Sequence, residues 1–174
     1  MTKKVAVLVV NPVNGAGLFQ YLEAFFENRI PFTTFAVADT TSVRTNSGVS
    51  LLTDDVVVNL RESEFDAVVF ACGDAMPVFA ENADKPYNQA MLAALATFGA
   101  HNKLIAGHCV GALMFDIAGI AAGKRVAQHP YVKAALKSAV ATDEKSVADG
   151  NLFTAQTENA IWTILPHLVQ KLTE

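Results

Sequence analysis

A short segment near the middle of the chain carries the residue with the clearest chemical potential, Cys109. An apolar run at residues 104–107 leads to the cysteine, and a nearly uncharged run at residues 110–122 follows it. Their lengths and flanks predict a buried strand before the cysteine and a buried helix after it, which Gly123 ends. Cys109 is therefore expected on a sharp strand-to-helix turn, the arrangement that exposes a nucleophile at the top of a parallel sheet.

The predicted turn also has an electrostatic consequence for Cys109. A thiol at a helix N-terminus lies near unpaired N–H groups and the positive end of the helix dipole, and both favour the thiolate. Gly107 and Gly111, on either side, are small enough to permit the turn. The residues alone leave two interpretations open: a reactive nucleophile, and a buried, inert cysteine of the kind common in protein cores.

The segment around Cys109 resembles the nucleophile-elbow region of the ThiJ/PfpI family, part of the class I glutamine amidotransferase-like superfamily. The family pattern is an alanine-rich strand, a cysteine, a small residue, a glycine, an apolar helix, a Gly-Lys-Arg-like triplet and a His-Pro pair. This chain supplies Cys109, Gly111, the triplet at residues 123–125 and His129-Pro130 in that order. The resemblance extends over residues 4–172 and implies cysteine-dependent chemistry of a hydrolase, glyoxalase or deglycase type, without a metal or cofactor.

The resemblance also implies roles for residues outside the elbow. It places the backbone N–H groups of Gly73 and Val110 at an oxyanion hole that faces Cys109, where such donors stabilise a transition state. It places His129 close to the cysteine, as a general base or an orienting group. His108 ends the predicted strand, so its side chain is expected to point away from the pocket and to be packed or hydrogen-bonded.

One position departs from the family pattern. Family enzymes usually carry a Glu or Asp at the start of the first helix, beside the cysteine, and an ungapped alignment puts Gly17 there. Residues 11–21 contain no acid, and Asp74 is the acid expected nearest to Cys109. The sequence thus leaves two functions open: an enzyme acting on a small carbonyl or amide compound, and a non-catalytic or redox-sensing protein linked to oxidative stress.

The second cysteine, Cys72, takes the place of the first glycine in the Pro-Gly-Gly-like turn of the family. It follows a strand predicted at residues 66–71. Neighbouring parallel strands lie about 5 Å apart, and a disulfide needs Cα atoms within about 7 Å. Cys72 is therefore a hypothetical resolving thiol for an oxidised Cys109.

Composition limits the classes of function. Hydrophobic residues make up 52% and charged residues 17% of the 174 positions. This low charge content suggests an extra buried surface and, with the dimers common in the family, predicts a homodimer. A net charge of -4 without a basic cluster argues against a nucleic-acid partner. Two cysteines without a disulfide pattern, no secretion signal and no membrane-spanning run predict a cytoplasmic protein without a membrane partner.

Strands alternate with helices along the chain, as one domain over residues 1–174. The alternation predicts a flavodoxin-like, doubly wound, mostly parallel α/β sheet with helices on both faces. The predicted strands are residues 5–10, 32–37, 66–71, 104–107 and 125–128, and the predicted helices are residues 17–29, 110–122, 131–140 and 157–172, with another starting at Pro86. Asp149-Gly150 predicts a C-terminal β-hairpin joining residues 146–148 to 152–154.

Ligands of such sheets bind outside the carboxyl ends of the strands. Gly15, Gly73 and Cys109 each lie just beyond a predicted strand. The sequence therefore predicts one site, for an unspecified small molecule, at this edge of the sheet.

Overall fold

A computed structural model describes residues 2–174 of the chain. The elements, in chain order, are β1 (Val5–Val10), α1 (Gly15–Glu27), β2 (Phe32–Val37), β3 (Ser42–Arg44), β4 (Ser50–Leu52), β5 (Asp55–Val56), β6 (Ala67–Ala71), α2 (Pro86–Ala100), β7 (Leu104–His108), α3 (Gly111–Ile117), β8 (Arg125–Val126), β9 (Val140–Ala141), β10 (Ser146–Asp149), β11 (Leu152–Ala155) and α4 (Ile161–Thr173).

A seven-stranded sheet forms the centre of the fold, with the strand order β10-β11-β7-β6-β1-β2-β5. All pairings are parallel except that of β10 with β11, which form the hairpin around Gly150. Every residue of β1 and β6 is buried, as expected for strands covered on both faces. Helix α1 packs beside α4, and α2 beside α3. The predicted doubly wound α/β fold is confirmed.

Helix α1 begins two residues earlier than its apolar pattern suggested. Its N-cap is Asn14, whose side-chain oxygen accepts a hydrogen bond from the Gly17 N–H at 2.7 Å. Such a cap satisfies one of the N–H groups that a helix start leaves free. The helix ends before Arg29, which adopts a φ of 55°. The cap therefore fixes the start of α1 beside the carboxyl end of β1.

The helix after Cys109 is much shorter than predicted. The uncharged run suggested residues 110–122, but α3 stops at Ile117. Gly119 then adopts a φ of 78° and donates its N–H to the Asp116 carbonyl at 3.0 Å. A glycine in the left-handed region commonly ends a helix, so the stop occurs at Gly119 and not at Gly123.

The prediction of a helix at residues 131–140 is also wrong. A 3₁₀ segment occupies Pro130–Ala135, and the chain then extends into β9. The carboxylate of Asp116 accepts hydrogen bonds from the backbone N–H groups of Lys137, Ser138 and Ala139. These bonds hold the segment outside a helix, because they use N–H groups that a helix would need internally.

Two other predicted elements differ at their boundaries. The final helix was expected to start at Thr157, but Thr157 caps a 3₁₀ turn at Glu158–Ala160 and α4 follows it. The strand expected at residues 125–128 is only the two-residue β8. The long connection after β2 contains the β3–β4 hairpin.

Candidate active site

Cys109 lies on the turn between β7 and α3, with a φ of 59°. This left-handed conformation is uncommon for a residue with a side chain and marks a constrained turn. The Cys109 N–H donates to the Ala155 carbonyl at 3.0 Å, and its carbonyl accepts from the His129 N–H at 3.1 Å. Backbone bonds from two other segments therefore hold the elbow in place.

The two glycines beside the elbow give the chain the space it needs. A β-carbon on Gly107 would lie 2.6 Å from Cζ of Phe115, and one on Gly111 would lie 3.2 Å from Cδ1 of Phe70. Both aromatic rings are fully buried. Small residues are therefore required where the strand turns into the helix.

Cys72 lies next to Cys109 at the carboxyl ends of neighbouring strands. Phe70 of β6 is opposite Gly107 of β7, and two further residues bring the chain to the cysteine on each strand. Contact with the Cys72 thiol lowers the pKa of Cys109; the Val110 N–H also lowers it, against the effect of burial. The same contact, together with burial, raises the pKa of Cys72 well above its usual range. The geometry favours a thiolate on Cys109 and a proton on Cys72.

The two backbone N–H groups of the expected oxyanion hole lie beside these sulfur atoms. The Gly73 and Val110 N–H groups face the Cys72 sulfur, and the Val110 N–H also faces Cys109. Gly73 allows a close approach of the chain, because a β-carbon there would lie 2.3 Å from the Pro12 carbonyl oxygen. Both donors are therefore attached to backbone that packing holds in place.

His129 meets the elbow through its backbone. Its N–H binds the Cys109 carbonyl, while its ring Nδ1 accepts a hydrogen bond from the Tyr131 N–H at 3.1 Å. A neutral ring in this position carries its proton on Nε2. Within residues 2–174, no hydrogen bond joins the ring to the Cys109 sulfur.

Two carboxylates affect the electrostatics of Cys109. Beyond the larger effects of the Cys72 contact, burial and the Val110 N–H, the charges of Glu158 and Asp74 raise the pKa of Cys109. Asp74 is exposed and is the acid that the sequence predicted nearest to Cys109, whereas no local sequence pattern points to Glu158. Its position shortly after β11, which pairs with β7, is the signal that could have placed it near the site.

The sequence profile of the DJ-1/PfpI family matches residues 3–171 of the chain. The chain belongs to the DJ-1/PfpI family. Its resemblance to ThiJ/PfpI proteins is therefore confirmed. Protein ppBat of Bacteroides thetaiotaomicron is 59% identical over 174 residues, which cover 99% of each chain.

Solved structures from the same family superpose closely on this DJ-1/PfpI chain. A candidate protease I from Bacteroides thetaiotaomicron has a TM-score of 0.97 at 58% identity, with 98% of this chain and 99% of that chain covered. A mutant DJ-1 superfamily protein from Salmonella typhimurium has a TM-score of 0.85 at 26% identity, covering 98% and 90%. Drosophila melanogaster DJ-1beta, with a TM-score of 0.85 at 19% identity and coverage of 99% and 91%, is similar in fold.

Gly17, at which the resemblance predicted an acid in family enzymes, lies against His108 in this DJ-1/PfpI protein. A β-carbon on Gly17 would lie 2.6 Å from the His108 Nε2. The imidazole is 1% exposed, and neither of its nitrogens has a hydrogen-bond partner in residues 2–174. Burial lowers the pKa of His108 to about 4, so the ring is neutral at physiological pH. The expectation of a packed histidine agrees with this position, but the ring makes no hydrogen bond.

Tyr21 completes this buried polar group. Its ring centroid lies 5.8 Å from that of His108, and its hydroxyl has no partner among the described residues. Burial raises the pKa of Tyr21 far above its usual range. Tyr21 is therefore a neutral side chain behind the two cysteines.

Residues 2–174 of this DJ-1/PfpI chain lack the features of a metal site and of a membrane-spanning helix. No cluster of three or more His, Cys, Asp or Glu side chains in that range is arranged to hold a metal ion. None of its helices has both the length and the apolar character needed to cross a bilayer. An open groove of about 770 Å³ is lined by Lys4, Thr33 and Arg61 among others and contains none of the site residues above.

Proposed function

We propose that this protein is a cysteine-dependent enzyme that acts on a small carbonyl or amide compound, of the hydrolase, glyoxalase or deglycase type. The observation that carries the proposal is the position of Cys109, partly exposed on a left-handed turn between β7 and α3; the lowered pKa of its thiol, to which the Val110 N–H contributes, agrees with it. These features supply a nucleophile and an electrophilic stabiliser at the carboxyl edge of the sheet.

In the first step, the Cys109 thiolate attacks the carbonyl carbon of the substrate. A carbon–sulfur bond forms, and the π electrons of the carbonyl move onto its oxygen. The N–H groups of Val110 and Gly73 donate hydrogen bonds to this oxyanion. With Nδ1 occupied by the Tyr131 N–H, His129 offers the proton on Nε2 to the oxyanion or to the leaving group.

The site has few side chains that could transfer a proton. Gly17 carries no carboxyl group, and the ring of His108 is buried and neutral. Asp74 and Glu158 influence Cys109 through their charge, but neither is hydrogen-bonded to its sulfur within residues 2–174. Since positioned acid–base groups are typically worth about 10²–10⁴-fold in rate, we expect covalent addition to be efficient and turnover to be slow.

A redox-sensing role is the second candidate function, and the contact between the two thiols favours it. A sensor needs an accessible, low-pKa cysteine next to a resolving cysteine, and Cys109 and Cys72 match that description. With either function, we also propose a cytoplasmic homodimer without nucleic-acid or membrane partners, since two free thiols suit a reducing compartment.

An activated ester tests the nucleophile directly. With 4-nitrophenyl acetate, we expect a burst of nitrophenolate equal to one acetyl group per chain, followed by a slow phase, and peptide mapping should place the acetyl group on Cys109. This burst is the kinetic sign of a covalent intermediate. The Cys109→Ser variant is the matched control and should show no burst. A natural protein that shows no burst, although its Cys109 reacts readily with iodoacetamide, would favour the sensor over the enzyme.

A further inference from the structure

Cys72 and Cys109 form a facing pair of free thiols. Their strands are adjacent and parallel, with Phe70 opposite Gly107, so the two cysteines occupy matched positions just beyond the strand ends. The spacing of parallel strands, about 4.8 Å, falls within the Cα separation of about 4.4–6.8 Å that a disulfide needs. The sheet therefore brings the two backbones to a distance that a disulfide can span.

We propose that the Cys72–Cys109 pair reduces small hydroperoxides, with Cys109 as the attacking thiol and Cys72 as the resolving thiol. This activity goes beyond the proposed carbonyl chemistry and does not depend on it. It needs no acid at position 17, and it uses Cys72, for which the proposed carbonyl chemistry has no direct role.

The exposure of the two residues assigns their order of reaction. Cys109 is partly exposed, whereas Cys72 is 1% exposed. A hydroperoxide from solution therefore meets Cys109 first. Cys72 is reached only by a group already attached to Cys109, which is the position that a resolving thiol requires.

The first step oxidises Cys109. Its thiolate attacks the terminal oxygen of the hydroperoxide, a sulfur–oxygen bond forms and the oxygen–oxygen bond breaks. The departing alkoxide takes a proton from solvent and leaves as an alcohol, or as water when the oxidant is hydrogen peroxide. Cys109 becomes a sulfenic acid. The N–H groups of Val110 and Gly73 lie beside the sulfur atoms and can donate to the oxygen that carries negative charge.

The second step forms the disulfide. Cys72 loses its proton and attacks the Cys109 sulfur; the sulfur–oxygen bond breaks, and the departing hydroxide takes up the proton to form water. Two thiols have then supplied the two electrons that reduce one hydroperoxide to an alcohol and water. An external dithiol restores both cysteines by thiol–disulfide exchange.

The electrostatics of the pair give these steps their sequence. Contact with the Cys109 thiolate, followed by burial, raises the pKa of Cys72, whereas the N–H groups of Val110 and Gly73 lower it. When Cys109 becomes a neutral sulfenic acid, the repulsion from its thiolate disappears and the two N–H groups remain. Cys72 therefore becomes easier to deprotonate only after Cys109 has reacted.

Mass spectrometry after one equivalent of hydrogen peroxide tests the pair. We expect the natural protein to lose two hydrogen atoms, to have no thiol left for alkylation, and to yield a peptide in which Cys72 and Cys109 are linked. The Cys72→Ser variant should instead give a sulfenic acid that dimedone traps and that excess peroxide converts to sulfonate. The Cys109→Ser variant should keep its Cys72 thiol. Thermal unfolding of both variants verifies that they are folded.

Peroxide consumption in the presence of dithiothreitol tests the catalytic cycle. We expect the natural protein to consume peroxide over many turnovers and Cys109→Ser to lose this activity; in Cys72→Ser, where dithiothreitol itself must reduce the sulfenic acid, excess peroxide should convert Cys109 to sulfonate and end consumption early. Accumulation of sulfinate or sulfonate in the natural protein, with Cys72 still open to alkylation, would overturn the proposal. Consumption by Cys72→Ser that continues for as many turnovers as in the natural protein, without sulfonate on Cys109, would overturn it as well. Neither readout involves acetylation of Cys109 or turnover of a carbonyl compound, so this inference and the proposed function can fail separately.

Discussion

Gly17 of α1 lies directly against His108 of β7. A β-carbon on Gly17 would be 2.6 Å from Nε2 and 2.8 Å from Cε1 of the imidazole. Because His108 is only 1% exposed, its ring has little space into which it could move. The histidine thus fills the position where a side chain on residue 17 would begin, so a glycine at residue 17 and a buried imidazole at residue 108 belong to one packing arrangement.

Stability measurements should reveal the coupling between Gly17 and His108. We expect Gly17→Ala to lower the free energy of unfolding by about 1–3 kcal/mol, the usual cost of overpacking. In a His108→Ala background, the same substitution should be neutral or stabilising, because alanine exceeds glycine in helix propensity by about 1 kcal/mol. Urea unfolding of the four proteins measures the coupling. Equal effects in both backgrounds would mean that the contact carries no energy.

Restoring a carboxyl group at position 17 requires a change at His108. We expect the natural protein to turn over an α-oxoaldehyde slowly, and Gly17→Glu alone to bring no gain, because its side chain meets the imidazole. Gly17→Glu/His108→Ala should be faster, within the range of about 10²–10⁴-fold that general acid–base catalysis provides. His108→Ala is the control. Rapid, Cys109-dependent turnover by the natural protein would indicate that another group, such as Glu158, already supplies the proton.

Cys109 should be alkylated before Cys72. The Cys72 contact lowers the pKa of Cys109 and the reciprocal contact raises that of Cys72, and the thiolate is the reactive form. Iodoacetamide at neutral pH, followed by peptide mapping, tests the order. Cys72→Ala removes the contact with the Cys72 thiol that lowers the pKa of Cys109. The pH–rate profile for alkylation of Cys109 should therefore move to higher pH. Preferential labelling of Cys72, or an unmoved profile, would contradict this assignment.

Asp116 is expected to stabilise the segment after the 3₁₀ turn in a pH-dependent way. Burial opposes its ionisation, but hydrogen bonds from Lys137, Ser138 and Ala139 prevail and lower the pKa of the carboxyl group. Asp116→Asn should lower the free energy of unfolding by about 1–3 kcal/mol at neutral pH, as expected when hydrogen bonds to a charged group are lost.

The sign of the pH effect follows from the lowered pKa. A carboxyl group that is more acidic in the folded state contributes its full stability above its unfolded pKa, about 3.9. This contribution falls as the pH drops through the folded value. The difference between the natural protein and Asp116→Asn should therefore shrink below about pH 4. Urea unfolding at neutral and acidic pH measures it, and a difference that is constant with pH would exclude the charge as its source.

The oligomeric state is a further prediction. Phe19, Phe26 and Leu52 are large apolar side chains, 42%, 76% and 81% exposed, on α1 and on the β3–β4 hairpin. Phe19 and Leu52 line one groove. We expect sedimentation at micromolar concentration to show a homodimer, and Leu52→Glu to shift it towards monomer. Trp162→Glu, at an exposed apolar side chain on α4, is the matched control. A monomeric natural protein would contradict the prediction.

The central strands and the elbow could be predicted from the sequence because their signals are local. Continuous β-branched runs indicate buried parallel strands, and a cysteine between a short strand and a helix indicates an exposed nucleophile. The sequence also predicted that Cys72 lies next to Cys109, because each cysteine follows the end of one of two neighbouring strands. Helix ends were predicted less well: apolar composition suggested that α3 would continue to residue 122, whereas the left-handed backbone of Gly119 ends it earlier.

The sequence by itself determined the family, the doubly wound sheet and the position of Cys109, because these follow from residue order and short-range periodicity. Only the tertiary structure placed the imidazole of His108 against Gly17 and the charge of Glu158 near Cys109. Each of these relationships joins residues far apart in the chain. They depend on how α1 and the segment after β11 pack at the carboxyl edge of the sheet, and no local pattern encodes that packing.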